Sequence, residues 1–233
     1  YHYPIALVTD KETHAGYGCF IGEYRQPLSG GCERTDMDPI THGALAYLLY
    51  VGYVMGRVII SKSTQTHHLP ATWAFVPLAI GSQFPDLIDK PLAYWGVLVS
   101  GRSLAHSAFS LLLIGALLNS VTWIQSRDTV SRLPTRLRAS IPTAFVIGYA
   151  GHLLGDAAYG LLSGEFFSVR FLVYPVSALS RSSGDELAPW VRVINLYRDP
   201  STVIHVEIVT AALIVFVGLR VWKYSRKRAD KLN

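Results

Sequence analysis

The sequence predicts an all-α fold, a multi-pass transmembrane helical bundle of about five membrane-crossing helices. Three observations carry that expectation. Half of the 233 residues are hydrophobic and 16% are charged, whereas about a quarter of residues are charged in ordinary soluble domains. The apolar residues fall into blocks, 40–60, 104–125, 139–163 and 203–222, each close to the roughly 20 residues a helix needs to cross a bilayer. The basic residues collect between and after these blocks, so the net charge of +5 reflects helix ends and gives no reason to expect a nucleic-acid partner.

Residues 1–36 differ from the rest, being mixed polar with scattered glycines and no helical period. They read as an N-terminal extension, disordered or lying upstream of a true start at Met37, ahead of a membrane-embedded domain over 37–233. Cys19 and Cys32 both lie in this stretch, and without a CxxC pair they offer no thiolate zinc site. Asp38-Pro39 is a good helix start, a capping side chain followed by proline in the first turn. It opens the first helix, 40–60, with His42 near its beginning. The polar loop 61–69 carries His67 and His68, adjacent and expected to be solvated. A second apolar piece, 71–84, is followed by a shorter one at 87–99, which together predict a broken crossing. Pro85 and Pro91 bracket the break, placing Asp86 and Asp89 on a short turn; Asp89 has the plain alternative of pairing with Lys90. After Ser100-Gly101-Arg102, His106 opens the third helix as His42 opens the first. The fourth spans 139–163, and 164–202 reads as a mixed region touching the membrane surface around Phe166–Leu179. The fifth helix, 203–222, ends in a basic tail.

The fourth helix holds the central stretch, Gly148-Tyr-Ala-Gly-His152-Leu-Leu-Gly-Asp156. Four residues apart on a helix, His152 and Asp156 share a face. An unpaired carboxylate inside an apolar helix costs several kcal/mol or more, so a partner is required. Imidazole with carboxylate is a common ligand pair for zinc and related divalent ions; a plain His–Asp hydrogen bond between helices is the alternative. The positive-inside rule places the 127–138 loop and the 223–231 tail in the cytoplasm. Counting back, His42, the Asp86/Asp89 turn, His106 and the outer half of the fourth helix all come to the outer end of the bundle. The charge rule uses none of these residues, so their agreement is evidence for one site.

Met37-Asp-Pro-Ile-Thr-His, Phe84-Pro-Asp-Leu-Ile-Asp-Lys-Pro, Gly101-Arg-Ser-Leu-Ala-His-Ser and Gly148-Tyr-Ala-Gly-His-Leu-Leu-Gly-Asp together resemble the YdjM-like membrane-bound metal-dependent hydrolases, described as LexA-binding and inner-membrane-associated. The wording is closest to haloarchaeal members, and the resemblance covers about residues 37–180. That family is distantly similar to zinc-dependent phospholipases C, which hold clustered zinc with an early His, an Asp, a further His and a His-x-x-x-Asp helix. The resemblance implies the ligands His42, Asp86 or Asp89, His106, His152 and Asp156. Two positions depart from the family wording: Gly101 and Lys90 stand where histidines are usual, which implies one or two metal ions rather than three.

The expectation is therefore a membrane-bound, metal-dependent hydrolase acting on a phosphoester, a phospholipid or lipid-linked phosphate, with zinc the expected ion and membrane lipids the expected partners. The carboxylate of Asp86 and Asp89 that does not bind metal would orient His106 or accept a proton, and Arg102 would hold a phosphate oxygen. The metal-free lipid phosphatases also carry a His-x-x-x-Asp element, but they need Ser-Gly-His where this chain has Ser100-Gly101-Arg102. The non-enzymatic alternative is a metal-stapled membrane protein or a transporter, for which His205 and Glu207 would suit an ion path.

Overall fold

A computed structural model describes residues 37–60, 72–127, 135–181, 183–198 and 205–229. The chain divides into two units, Tyr1–Arg34 and Thr35–Asn233. The expected 1–36 extension, with both cysteines, lies outside the described residues, as do His67 and His68.

The described residues of the second unit are helical, with no strand among them: α1 Pro39–Ile60, α2 Phe75–Tyr94, α3 Ala108–Arg127, α4 Thr135–Ser163, α5 Pro189–Arg198 and α6 Val206–Ala229. α4 packs against α1, α2 and α3, and α6 leans on α1. Tyr47, Tyr50, Val51, Leu78, Ala144 and Ala212 form the apolar core, with Tyr47, Phe75 and Phe216 in mutual ring contact.

α2 and α4 meet backbone to backbone. A Cβ on Gly148 would stand 2.3 Å from the Leu78 carbonyl oxygen, and one on Gly81 2.2 Å from that of Phe145. Only glycine permits that approach, and it sets the α2–α4 spacing in the plane where the site begins.

Three local expectations are corrected. The break at Pro85–Pro91 is a continuous stretch of α2. Each proline removes one intrahelical donor, but Pro85 and Asp89 are buried, and tertiary packing outweighs the local cost. His106 does not open the third helix. It lies in the segment before α3, and Ser107 makes the cap, accepting from the Ser110 amide at 3.1 Å. The mixed region contains α5, a ten-residue helix that its short apolar runs did not reveal.

Beside this apolar core, many polar side chains are fully buried, including Asp38, Thr41, His42, Ser82, Asp89, Ser103, His106 and His152, while Leu112, Leu113, Leu117, Val121, Leu213, Ile214 and Val217 are exposed. Apolar side chains on the outside of α3 and α6 suit lipid. By length and composition, α1 is the described helix that meets the requirement for a crossing, with a shorter apolar run at Ala108–Ile124. The charged groups along α2 and toward the C-terminal end of α6 lower their share of apolar residues.

Candidate metal centre

Asp38 is fully buried and closes the N-terminus of α1. Its carboxylate accepts from the amides of Ile40 and Thr41 at 3.1 and 3.2 Å, and from the Thr41 hydroxyl. Tyr197 of α5 adds a fourth donor at 3.1 Å. Burial, and then the Asp38 charge, raise the Tyr197 phenol above its ordinary pKa. This cap fixes the first turn of α1, and with it His42.

His42 stacks on His152, ring centroids 4.0 Å apart and planes within 20°. Its Nε2 lies 3.4 Å from Asp156 Oδ1. Its Nδ1 is buried without a hydrogen-bond partner among the described residues. Gly155 makes room for the ring, since a Cβ there would meet His42 Nδ1 at 3.0 Å and Met37 Sδ at 2.8 Å.

The tautomers of the two other histidines follow from their neighbours. His152 Nδ1 lies 2.7 Å from the Ser82 carbonyl oxygen, which only accepts, so Nδ1 carries the proton. His106 Nδ1 lies 2.9 Å from Asp89 Oδ2, a carboxylate, so it donates there. As neutral imidazoles both rings then present an Nε2 lone pair, and the two face each other at 3.2 Å. Two acceptors at that separation need a cation or a proton between them.

Carboxylates complete the arrangement. His106 Nε2 stands 3.4 Å from Asp86 Oδ1 and 3.5 Å from Asp156 Oδ2, and His152 Nε2 3.8 Å from each of the same two oxygens. A tetrahedral ion with bonds of about 2.0–2.2 Å spaces its ligand atoms about 3.3–3.6 Å apart. The separations within Asp86, His106 and His152, 3.2, 3.4 and 3.8 Å, lie close to that spacing. Asp86, His106 and His152 form one group able to hold an ion, and His42, His152 and Asp156 another.

Asp89, the other half of the Asp86/Asp89 alternative, faces away from this point. Its oxygens accept from the amides of Ser103, Ala105 and His106 at 2.8–3.1 Å and from His106 Nδ1. It holds the 103–106 backbone and orients His106, in the manner of the outer carboxylates that fix metal-binding histidines. Nor does it pair with Lys90, whose ammonium lies 2.6 Å from Asp86 Oδ2. Arg102, expected at a phosphate, grips Asp156 with two contacts, Nη2 to Oδ1 and Nε to Oδ2, both 3.1 Å. Phe171 underlies it, 5.9 Å from ring centroid to guanidinium. His205 and Glu207 lie 3.4 Å apart on the exposed start of α6, outside the cluster.

Sequence reasoning missed several supporting groups. Ser82 precedes Asp86 by one helical turn, a visible spacing with no visible purpose. Tyr149, one turn before His152, donates its hydroxyl to the Ala105 carbonyl and ties α4 to the His106 segment. Asp185 accepts from the Gly101 amide and from Arg192, each at 3.1 Å, a contact across 84 residues that no local pattern encodes.

Residues 37–227 match the model of a family described as YdjM inner membrane protein. The chain belongs to that family. Neither a curated protein nor a solved structure matches it.

Proposed function

We propose that this member of the YdjM inner membrane protein family is a metal-dependent hydrolase of phosphoesters, with zinc the expected ion and a phospholipid or lipid-linked phosphate the substrate. The observation that carries the reading is the pair of Nε2 atoms held face to face between two carboxylates, each ring fixed by a donor bond on its far side. Asp86, His106, His152 and Asp156 would hold the ion, with His42 on Asp156 or at a second position. A divalent ion there would bring the pKa of a bound water toward about 7 and polarise a phosphoryl oxygen. Asp89 keeps the His106 lone pair aimed inward, and Ser82 does the same for His152. Arg102 steadies Asp156 and stands where a phosphate oxygen would meet a guanidinium.

The reading includes a bundle of five crossings, with the C-terminus cytoplasmic and the site toward the outer side. The exposed apolar faces of α3 and α6 support it, as does the depth of polar burial. A site at that level suits a substrate carried by the bilayer.

A non-enzymatic metal staple is the rival, favoured by the way the cluster ties α1, α2, α4 and the 100–107 segment together. Metal analysis of the purified full chain, beside hydrolysis of a chromogenic phosphodiester, separates the two. Stoichiometric metal with metal-dependent hydrolysis supports the hydrolase; metal without hydrolysis of any phosphoester leaves the staple; no metal in a folded protein sinks both.

A further inference from the structure

Three cationic side chains stand around the 100–102 segment, each above a better-buried carboxylate. Lys90 covers Asp86, Arg102 covers Asp156 and Arg192 covers Asp185. The cations are 31, 27 and 21% exposed, their partners 14, 3 and 2%. The arrangement is layered, with carboxylates beneath and positive charge at the surface. Gly101 is the pivot. A Cβ at 101 would meet Asp185 Oδ1 at 2.6 Å, Arg192 Nη1 at 3.2 Å and Lys90 Cγ at 3.5 Å. The missing side chain therefore lets Asp185 and Arg192 close against the 100–102 segment, and it brings Arg192 beside Gly101, the neighbour of Arg102, although 91 residues of sequence separate the two positions.

We propose that Lys90, Arg102 and Arg192 form one anion-recognition rim over the metal centre, and that it takes the phosphate group of the substrate, free or on a lipid headgroup. The proposal rests on the hydrolase reading for the fate of that phosphate, but not for its capture. Lys90 and Arg102 share their carboxylates with the proposed ion site. An ion bound to Asp86 and Asp156 would draw on the charge that now neutralises the two cations, leaving the rim more positive and a matching anion favoured. Arg192 is outside that competition. Asp185 fixes its guanidinium through one nitrogen, and a guanidinium has five donors in a planar fork suited to phosphate. Arg192 is thus the member whose removal tests the rim without touching a candidate metal ligand.

The experiment titrates inorganic phosphate into the purified full chain by calorimetry, with metal content measured on the same samples. Arg192→Gln should weaken phosphate binding by about tenfold or more at unchanged metal content, and Arg192→Lys should recover part of it. Arg57→Gln, about four turns along α1 from His42, should match wild type. Equal phosphate affinity in wild type and Arg192→Gln, or no phosphate binding by wild type, overturns the rim. Should Arg192→Gln fail to fold, the Asp185→Asn/Arg192→Gln double variant removes both halves of the pair, leaves no buried charge alone, and carries the same expectation. Metal-free wild type would overturn the hydrolase reading, and its own phosphate titration would still decide the rim. A second titration with short-chain phosphatidate identifies the source: tighter binding than inorganic phosphate means a lipid headgroup, equal binding a free phosphate, and either upholds the rim if Arg192→Gln weakens it.

Discussion

His106 and His152 point their Nε2 atoms at one another across 3.2 Å, and each ring has its other nitrogen committed, to Asp89 and to the Ser82 carbonyl. Neither ring can turn to relieve the contact without giving up a buried hydrogen bond. The expected consequence is that the purified protein carries a divalent ion. His152→Ala and His106→Ala should each lose it, as measured by elemental mass spectrometry. Both should also unfold at lower temperature, because the remaining buried charges lose their counter-charge.

Asp86 and Asp89 should separate under the same substitution. Asp86→Asn removes an oxygen that faces the proposed ion and should abolish tight binding. Asp89→Asn leaves the four ligand atoms in place but loosens His106, so affinity should fall by about 10–100-fold. Competition with a chromophoric chelator measures both. Equal losses would mean that Asp89 binds the ion directly.

Gly148→Ala should be among the most damaging single-methyl changes in the chain. The added carbon would lie 2.3 Å from the Leu78 carbonyl oxygen and 2.9 Å from the Ser82 nitrogen, a clash with main chain that only helix separation relieves. Overpacking of this kind costs about 1–3 kcal/mol or more, and it moves the carbonyl that orients His152. Gly52→Ala is the control, because nothing lies within 4 Å of its added carbon. It should stabilise by up to about 1 kcal/mol through helix propensity. Thermal unfolding in detergent, with metal content before and after, checks the pair.

Tyr197→Phe should cost about 1 kcal/mol, since Asp38 keeps its other donors. A pH dependence accompanies it. Burial, followed by the Asp38 charge, raises the Tyr197 pKa in the folded chain above the ordinary 10.0. The unfolded chain therefore loses that proton first, and stability falls as pH rises beyond 10. The phenylalanine variant should show a shallower fall in melting temperature over that range than wild type.

Orientation is tested by labelling. A reporter fused after Asn233 should read as cytoplasmic, and a cysteine introduced at 186 or 187, both exposed, should react with a membrane-impermeant reagent from outside. The reverse pattern would place the site on the cytoplasmic face.

The helical fold and the meeting of His42, Asp86, His106, His152 and Asp156 were legible because they rest on signals the chain writes locally: apolar blocks, a four-residue His–Asp spacing, and polar residues where an apolar helix has no use for them. The run from Pro85 to Pro91 was misread for a physical reason. Two prolines in seven residues argue for a turn, and only burial against α4 and the 103–106 backbone keeps the helix intact through them. The division of labour between Asp86 and Asp89 was equally out of reach, because it depends on which of two carboxylates a distant backbone approaches. Arg192 was invisible altogether. It belongs to a short helix with an ordinary sequence, and Gly101, the residue that gives it access, reads as loop punctuation.

The glycine contact between α2 and α4 also bears on how this chain can change over time. Because main-chain atoms set the distance between the helix carrying Asp86 and the one carrying His152 and Asp156, that distance does not depend on the size of any side chain packed nearby. Exposed apolar residues on the outer faces of α3 and α6 can therefore drift among Leu, Val, Ile and Phe without detuning the ligand geometry. The same arrangement leaves Gly81 and Gly148 almost no freedom, so substitution should be tolerated across the outer faces of α3 and α6 and refused at two small residues that touch no ligand.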